Sequence, residues 1–294
     1  MNAYRPASRF AELAINSAKS AIKSQYENVQ IPDRLFYHVW AHTDGVIGRA
    51  TRIATALKLS TPFVTIVQTA AAKHDEVQLY ARDRKVDGRV MRQRAIGANE
   101  RQSGAAALKF IRQHRAAEGA ILMDENHLIL IEAILTTVPK WNSEYKTVVQ
   151  PALNRGSHPV TRAVALADLG AAGMDPVQFD AEGPALFIED NIDVALMLSD
   201  ARRLVDIPEA TQSTIQCRLV QWMATRPQFV QGRRLLLQRE LEGLSAPERT
   251  SIKLLFSGFE ESLHIAEEAP KKFASMSFID VARCLIPNAL PEEA

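Results

Sequence analysis

Four residues of this chain have the types and settings that metal chemistry requires: His42, His74, Asp75 and Asp168. His42 lies four residues before Val46, on the apolar face of the helix expected there. His74 ends the face made by Phe63, Val67 and Ala70, and Asp75 is next to it. Asp168 follows Val164 by four residues, again on an apolar face. Two carboxylates withdrawn from water beside two imidazoles call for a compensating cation. A mixed nitrogen and oxygen set suits manganese, iron, zinc or nickel, and magnesium less specifically. Such a cation acidifies water and polarises an electrophile such as phosphorus. Taken singly, each histidine reads as core, and Asp168 as a cap on the loop at Gly170. The joint set points to one divalent metal ion.

Helical periodicity dominates the elements that must position these groups. A first helix is expected over about Ser8–Gln25, with Ser8 as its cap and a break at Ile31-Pro32-Asp33. Val46, Ala50, Ile53 and Leu57 then share the His42 face. Thr61-Pro62 opens the helix that ends at His74. Residues 76–96 read as irregular and strongly charged. Helices follow over roughly Asn99–Ala117 and Asp124–Thr137, and Pro159 opens the one that carries Asp168. Gly170, Gly173, Pro176, Gly183 and Pro184 mark a loop over 170–185, residues 186–205 read as helix, and Asp206-Ile207-Pro208 as a boundary. Four or five helices occupy the remainder, with Glu260–Lys272 exposed and broken at Pro270. Strand signals are nearly absent, with no Asn-Gly or Asp-Gly turn between apolar runs. The expected class is all-α: a helical metal-binding domain over 1–205 and a C-terminal helical extension over 206–294, separate or packed onto the same domain.

Composition narrows the function classes. The 294 residues carry 35 Lys+Arg against 34 Asp+Glu, so no global basic bias points to nucleic acid. Two cysteines, Cys217 and Cys284, are too few for a disulfide framework and read as reduced thiols. The first eight residues have no apolar stretch of signal-peptide type, and no apolar run approaches the roughly 20 residues of a membrane span. A cytoplasmic protein with no membrane partner is expected.

The motif Tyr37-His38-x3-His42-Thr43-x2-Val46, then Ala71-Ala72-Lys73-His74-Asp75, then Ala165-Leu166-Ala167-Asp168-Leu169 resembles the HD superfamily of metal-dependent phosphohydrolases. Asn99-Glu100-x2-Ser103 and Ala133–Thr137 resemble elements that follow the His-Asp pair in many members. The resemblance spans about residues 30–175 and does not extend to 206–294. It implies an HD-domain helical bundle with the metal at its centre, His42, His74, Asp75 and Asp168 as ligands, and hydrolysis of a phosphomonoester or phosphodiester. The substrate would be a nucleotide or another small phosphorylated metabolite. Members that hydrolyse guanosine tetraphosphate carry a Glu-Asp pair shortly after the His-Asp; Glu76-Val77-Gln78 departs from that pattern and argues against this activity.

Further residues gather around this assignment. His38 falls where diesterase-like members place a proton donor, or else it packs behind His42. Asp75 orients the attacking water, and Glu100 stands as an extra ligand or base. Among the basic residues between Arg82 and Arg101, some pair with Asp83, Asp87 and Glu100, while Arg84, Arg92 and Arg94 are the candidates to hold substrate phosphate. Trp40, Trp141 and Trp222 read as core or lid aromatics. Two rivals remain open. An HD-fold di-iron oxygenase would need His114 or His127 at the site; otherwise both are surface histidines. A non-catalytic metal-binding sensor or scaffold would use 206–294 to hold a partner. A homo-oligomer is compatible with all three readings.

Overall fold

The computed structural model describes residues 4–114 and 124–286. Helix α1 (Arg9–Ile22) starts at Ser8, whose hydroxyl accepts from the Ala11 amide at 3.1 Å, and continues into a π turn over Lys23–Glu27. Helices α2 (Trp40–Ala56) and α3 (Thr61–Lys73) follow, the second with Pro62 in its first turn. Two strands, β1 (Tyr80–Arg84) and β2 (Val90–Arg94), pair antiparallel with Tyr80 opposite Arg94. Next come α4 (Ala98–His114), α5 (Asp124–Thr136), a second small hairpin of β3 (Lys140–Asn142) and β4 (Thr147–Val149), and α6 (Pro159–Asp168). The chain continues through α7 (Ala171–Met174), α8 (Pro176–Asp190), α9 (Ile192–Leu198), a 3-10 turn over Ala201–Asp206, α10 (Glu209–Met223), α11 (Arg226–Glu240), α12 (Ala246–Leu255), α13 (Phe259–Ser275) and α14 (Phe278–Leu285). The fold is predominantly helical, with two two-stranded sheets among the described residues. None of its described helices is long and apolar enough to cross a membrane.

Three expectations are corrected. Residues 76–96 form a hairpin, not an irregular connection. Its turn contains Asp87-Gly88, with Gly88 at φ +87°, a left-handed conformation that glycine adopts without penalty. Charged runs rather than apolar ones flank that turn, so the alternation rule does not detect it. The expected loop over 170–185 is instead α7 and most of α8. Pro176 sits in the first turn of α8, where it lacks only an amide that has no helical partner, and α8 runs through Pro184. Likewise α13 runs unbroken through Pro270. Of the three tryptophans, Trp141 is exposed, while Trp40 and Trp222 pack partly against the cores.

The centre of the molecule is the mutual packing of α2, α3, α5 and α6. Val46, Ala50 and Ile53 from α2, Ile66, Val67 and Ala70 from α3, and Val164 and Ala167 from α6 are all fully buried. The alanines let backbones approach closely. Arg49 is fully buried among them: its Nε donates to the Ala167 carbonyl at 2.7 Å, and its Nη1 lies 3.5 Å from Asp175. It thus ties α2 to the end of α6.

The cluster that holds α2, α3 and α6 also takes Val230, Leu237, Leu241, Ile252, Phe256 and Phe259 from the C-terminal helices. The hydrophobic core therefore runs across the boundary at 206–208. Gly173 marks a close seat between them. It accepts from the Gly258 amide at 2.8 Å, and a Cβ on it would lie 2.5 Å from Phe256 Cδ1 and 2.8 Å from Phe259 Cζ. Gly173→Ala is expected to destabilise the whole chain by about 1–3 kcal/mol through overpacking. Thermal unfolding checks this; an unchanged Tm would mean that the C-terminal helices do not fold against α7 as one unit.

Candidate metal centre

Three helices converge to build the site. His42 is the third residue of α2, His74 and Asp75 follow the last residue of α3, and Asp168 is the last residue of α6. Two of the three helices therefore end here with their C-termini, the end of a helix that favours positive charge. His42 Nε2 lies 3.6 Å from Asp75 Oδ2 and 3.5 Å from Asp168 Oδ1. His74 Nε2 lies 3.2 Å and 3.5 Å from the same two oxygens. Metal–ligand bonds of about 2.0–2.1 Å imply separations of roughly 3.0–3.4 Å between adjacent donors. The observed spacings are close to that range. Among the described residues, His42, His74 and Asp168 form the one group whose donor atoms all lie within 4.8 Å of one another, and Asp75 flanks both imidazoles.

The other ring nitrogens fix which face each imidazole presents. His74 Nδ1 donates to the Ala71 carbonyl at 2.8 Å, which assigns the lone pair to Nε2. That Nε2 is buried and faces Asp75 Oδ2 at 3.2 Å and Asp168 Oδ1 at 3.5 Å. Facing carboxylate oxygens that can only accept, this nitrogen calls for either a proton of its own or a cation. His42 Nδ1 lies 3.1 Å from Glu182 Oε1, the carboxylate–histidine pairing that orients a metal ligand. Each aspartate splits its oxygens in the same way. Asp75 Oδ1 accepts from Gln78 Nε2 and Asp168 Oδ2 accepts from Gln150 Nε2, both at 2.9 Å, which leaves Oδ2 and Oδ1 respectively toward the imidazoles.

Electrostatics agree with an excess of negative charge. Burial disfavours an imidazolium at His42, yet hydrogen bonds to Asp168 and Glu182 outweigh it and raise its pKa to about 9. His74 is raised well above its usual value against the same burial, chiefly by Asp75 and Asp168. Burial likewise opposes the charge on Asp75 and Asp168, but the histidines hold both well below the usual carboxylate range. Imidazolium protons and a divalent cation are thus alternative ways to balance these carboxylates.

His38 stands beside this centre, its ring 6.1 Å from that of His42. Its Nδ1 is in close contact with Glu189 Oε1, while Glu189 Oε2 accepts from the amides of Phe36, Tyr37 and His38 at 3.0, 2.7 and 3.0 Å. These interactions hold the Glu189 carboxyl at about 2 despite its burial. Tyr37 lies against both histidine rings, 4.6 Å from His38 and 4.5 Å from His42.

The remaining candidates separate clearly. Arg94 is beside the centre, with Nη2 4.0 Å from Asp75 Oδ1. Arg92 is buried and donates to the carbonyls of Glu189, Pro32 and Arg34, so its guanidinium is committed to the scaffold. Arg84 is exposed at the turn end of the hairpin, opposite Val90, while Arg94 is at the other end. Glu100 reaches back from the first turn of α4 to the Gly97 amide at 2.6 Å, a capping role at that helix start. His114 Nδ1 donates to the Phe110 carbonyl within its own helix, and neither His114 nor His127 belongs to the metal-capable group.

Sequence reasoning missed Glu182, Glu189, Gln78 and Gln150. Glu182 and Glu189 are seven residues apart, two turns along α8, and that spacing was the available signal. The intervening Gly183-Pro184 concealed it.

Asp190 ends α8 behind these groups. Burial and the neighbouring Glu189 lift its carboxyl to about 7, with Arg94 and Arg92 pulling the other way. A raised carboxyl pKa means that the unfolded chain ionises first, so Asp190 lowers stability as pH rises from about 4 to 7. Asp190→Asn is expected to match wild-type stability near pH 4 and exceed it by up to about 4 kcal/mol at pH 8, at roughly 1.4 kcal/mol per pKa unit. Urea unfolding across that range checks it; parallel curves at all pH values would contradict it.

No family model, curated protein or solved structure matches this chain.

Proposed function

We propose that this protein is a metal-dependent phosphohydrolase of the HD type, acting on a small phosphomonoester or phosphodiester. The observation that carries the reading is the clustering of His42 Nε2, His74 Nε2 and a carboxylate oxygen of Asp168 within 4.8 Å of one another, with Asp75 Oδ2 beside both imidazoles at 3.6 and 3.2 Å. The donor set fits a borderline divalent ion such as manganese, iron, nickel or zinc. When bound, such an ion supplies Lewis acidity, which polarises a phosphoryl oxygen and lowers the pKa of water.

The chain's own residues supply the rest. Arg94, free of the carbonyl ties that occupy Arg92, offers its guanidinium to the non-bridging phosphate oxygens. Asp75 orients the attacking water with the oxygen that faces the imidazoles. His38, its Nδ1 held by Glu189, presents Nε2 to the leaving oxygen and donates a proton there. Glu182 and Glu189 keep the two histidine rings in place.

The test is hydrolysis of generic phosphomonoester and phosphodiester substrates by the purified chain with manganese, nickel or magnesium added. Hydrolysis by the wild type is expected, with Arg94→Ala raising KM about 10-fold or more, since a charge-assisted contact contributes on the order of 1.5–3 kcal/mol. Absence of hydrolysis with every metal would overturn the proposal.

A further inference from the structure

Gln78 touches neither imidazole, yet it is buried between the metal centre and the arginine beside it. Its Nε2 donates to Asp75 Oδ1 at 2.9 Å. Its Oε1 accepts from Arg94 Nε at 3.2 Å and Nη2 at 2.9 Å, and from Asn99 Nδ2 at 3.1 Å. The amide has one possible orientation, because a carboxylate can only accept and a guanidinium can only donate. Its root is fixed as well: the Gln78 amide donates to the Tyr26 hydroxyl at 2.8 Å, and the Leu79 amide to Asn99 Oδ1 at 2.8 Å. A neutral side chain thus bridges a carboxylate and a guanidinium that are 4.0 Å apart. Direct pairing of the two would turn the arginine inward and draw Asp75 off the imidazoles.

We infer that Gln78 is a positioning residue that sets Asp75 and Arg94 as one unit, holding the cation ligand and the phosphate-binding guanidinium at a fixed separation. The inference rests on the phosphohydrolase reading. It goes beyond it by linking cation affinity and anion affinity through a single amide. Gln150 orients Asp168 in a similar way but bonds no arginine, so the link belongs to Gln78.

The experiment titrates Mn2+ into the metal-free full-length chain, and inorganic phosphate into the manganese-loaded chain, by calorimetry. Wild type, Gln78→Met, Arg94→Ala and the double variant are compared. Gln78→Met keeps the length and removes the side-chain hydrogen bonds to Asp75, Arg94 and Asn99. It is expected to weaken Mn2+ binding about 10-fold, the lower end of what loss of a ligand-orienting contact costs. It should weaken phosphate binding by a similar factor in the wild-type background and by less than about twofold in the Arg94→Ala background, because residues that act as one unit are not additive. Equal phosphate losses in both backgrounds, or wild-type Mn2+ and phosphate affinities in Gln78→Met, would overturn the role of Gln78 alone. A wild type that binds no Mn2+ would overturn the metal reading beneath it. If Gln78→Met does not fold, Gln78→Asn, which keeps both polar atoms on a shorter side chain, carries the same comparison.

Discussion

His74→Ala is expected to abolish metal binding and to lower phosphoester hydrolysis by at least about 1000-fold, the scale on which metal-assisted hydrolysis depends on its ion. The side chain is fully buried, and its Nδ1 bond to Ala71 leaves Nε2 nothing to do but face the two aspartates. Removing it takes away one donor of four and leaves Asp75 and Asp168 with a single imidazole between them. Glu182→Gln is the graded control. It keeps a hydrogen-bond acceptor near His42 Nδ1 but removes the charge, and should cost about 10–100-fold in metal affinity. Metal titration and steady-state kinetics check both. A His74→Ala variant that retains wild-type metal content and rate would show that the clustering of these residues is structural.

Arg49→Ala has the largest expected effect on stability, a loss of about 3–5 kcal/mol from a large cavity together with an orphaned buried carbonyl. The guanidinium is fully buried and Nε satisfies the Ala167 carbonyl, one residue before Asp168. Truncation orphans that carbonyl and leaves a cavity between α2 and α6. Asp175 keeps Arg52, at 2.7 Å, so the loss does not come from that carboxylate. Arg49→Met restores the volume without the donors and should recover part of the stability. Since the carbonyl precedes Asp168, a candidate metal ligand, Arg49→Ala should weaken metal binding as well. Equilibrium unfolding in urea gives the first result; a loss below about 1 kcal/mol would contradict the account.

The central histidines and aspartates were legible in the sequence for a physical reason. Helical periodicity placed His42, His74 and Asp168 on apolar faces, and apolar faces pack together, so titratable groups carried on them meet in the interior. Helices α3 and α6 start where Thr61-Pro62 and Pro159 indicated, while periodicity alone marked α2. The supporting residues were hidden because their partners are remote in sequence. Glu182 lies 140 residues from His42, and Glu189 lies 151 from His38. Both are on a helix whose Gly183 and Pro184 read as loop. Gly183 is instead a packing residue: a Cβ there would meet the Arg226 guanidinium at 2.4 Å. The hairpin escaped because Arg82, Asp83, Arg92 and Arg94 give its strands charge in place of apolar alternation. Glu100, expected near the metal, has the sequence position of a helix-start carboxylate, three residues after Gly97, and takes that role. Arg92 shows that charge near a site in sequence does not make a ligand contact: three backbone carbonyls hold it.

The most direct test of the central claim is the metal content of the purified chain by mass spectrometry after incubation with manganese, iron, nickel or zinc and removal of the excess. The account predicts about one divalent ion per chain in the wild type and almost none in His74→Ala or Asp168→Ala, because each removes a donor from one shared centre. A wild type that retains no metal under any of these conditions would contradict it and would leave the buried histidines and carboxylates as an internal ion-pair cluster.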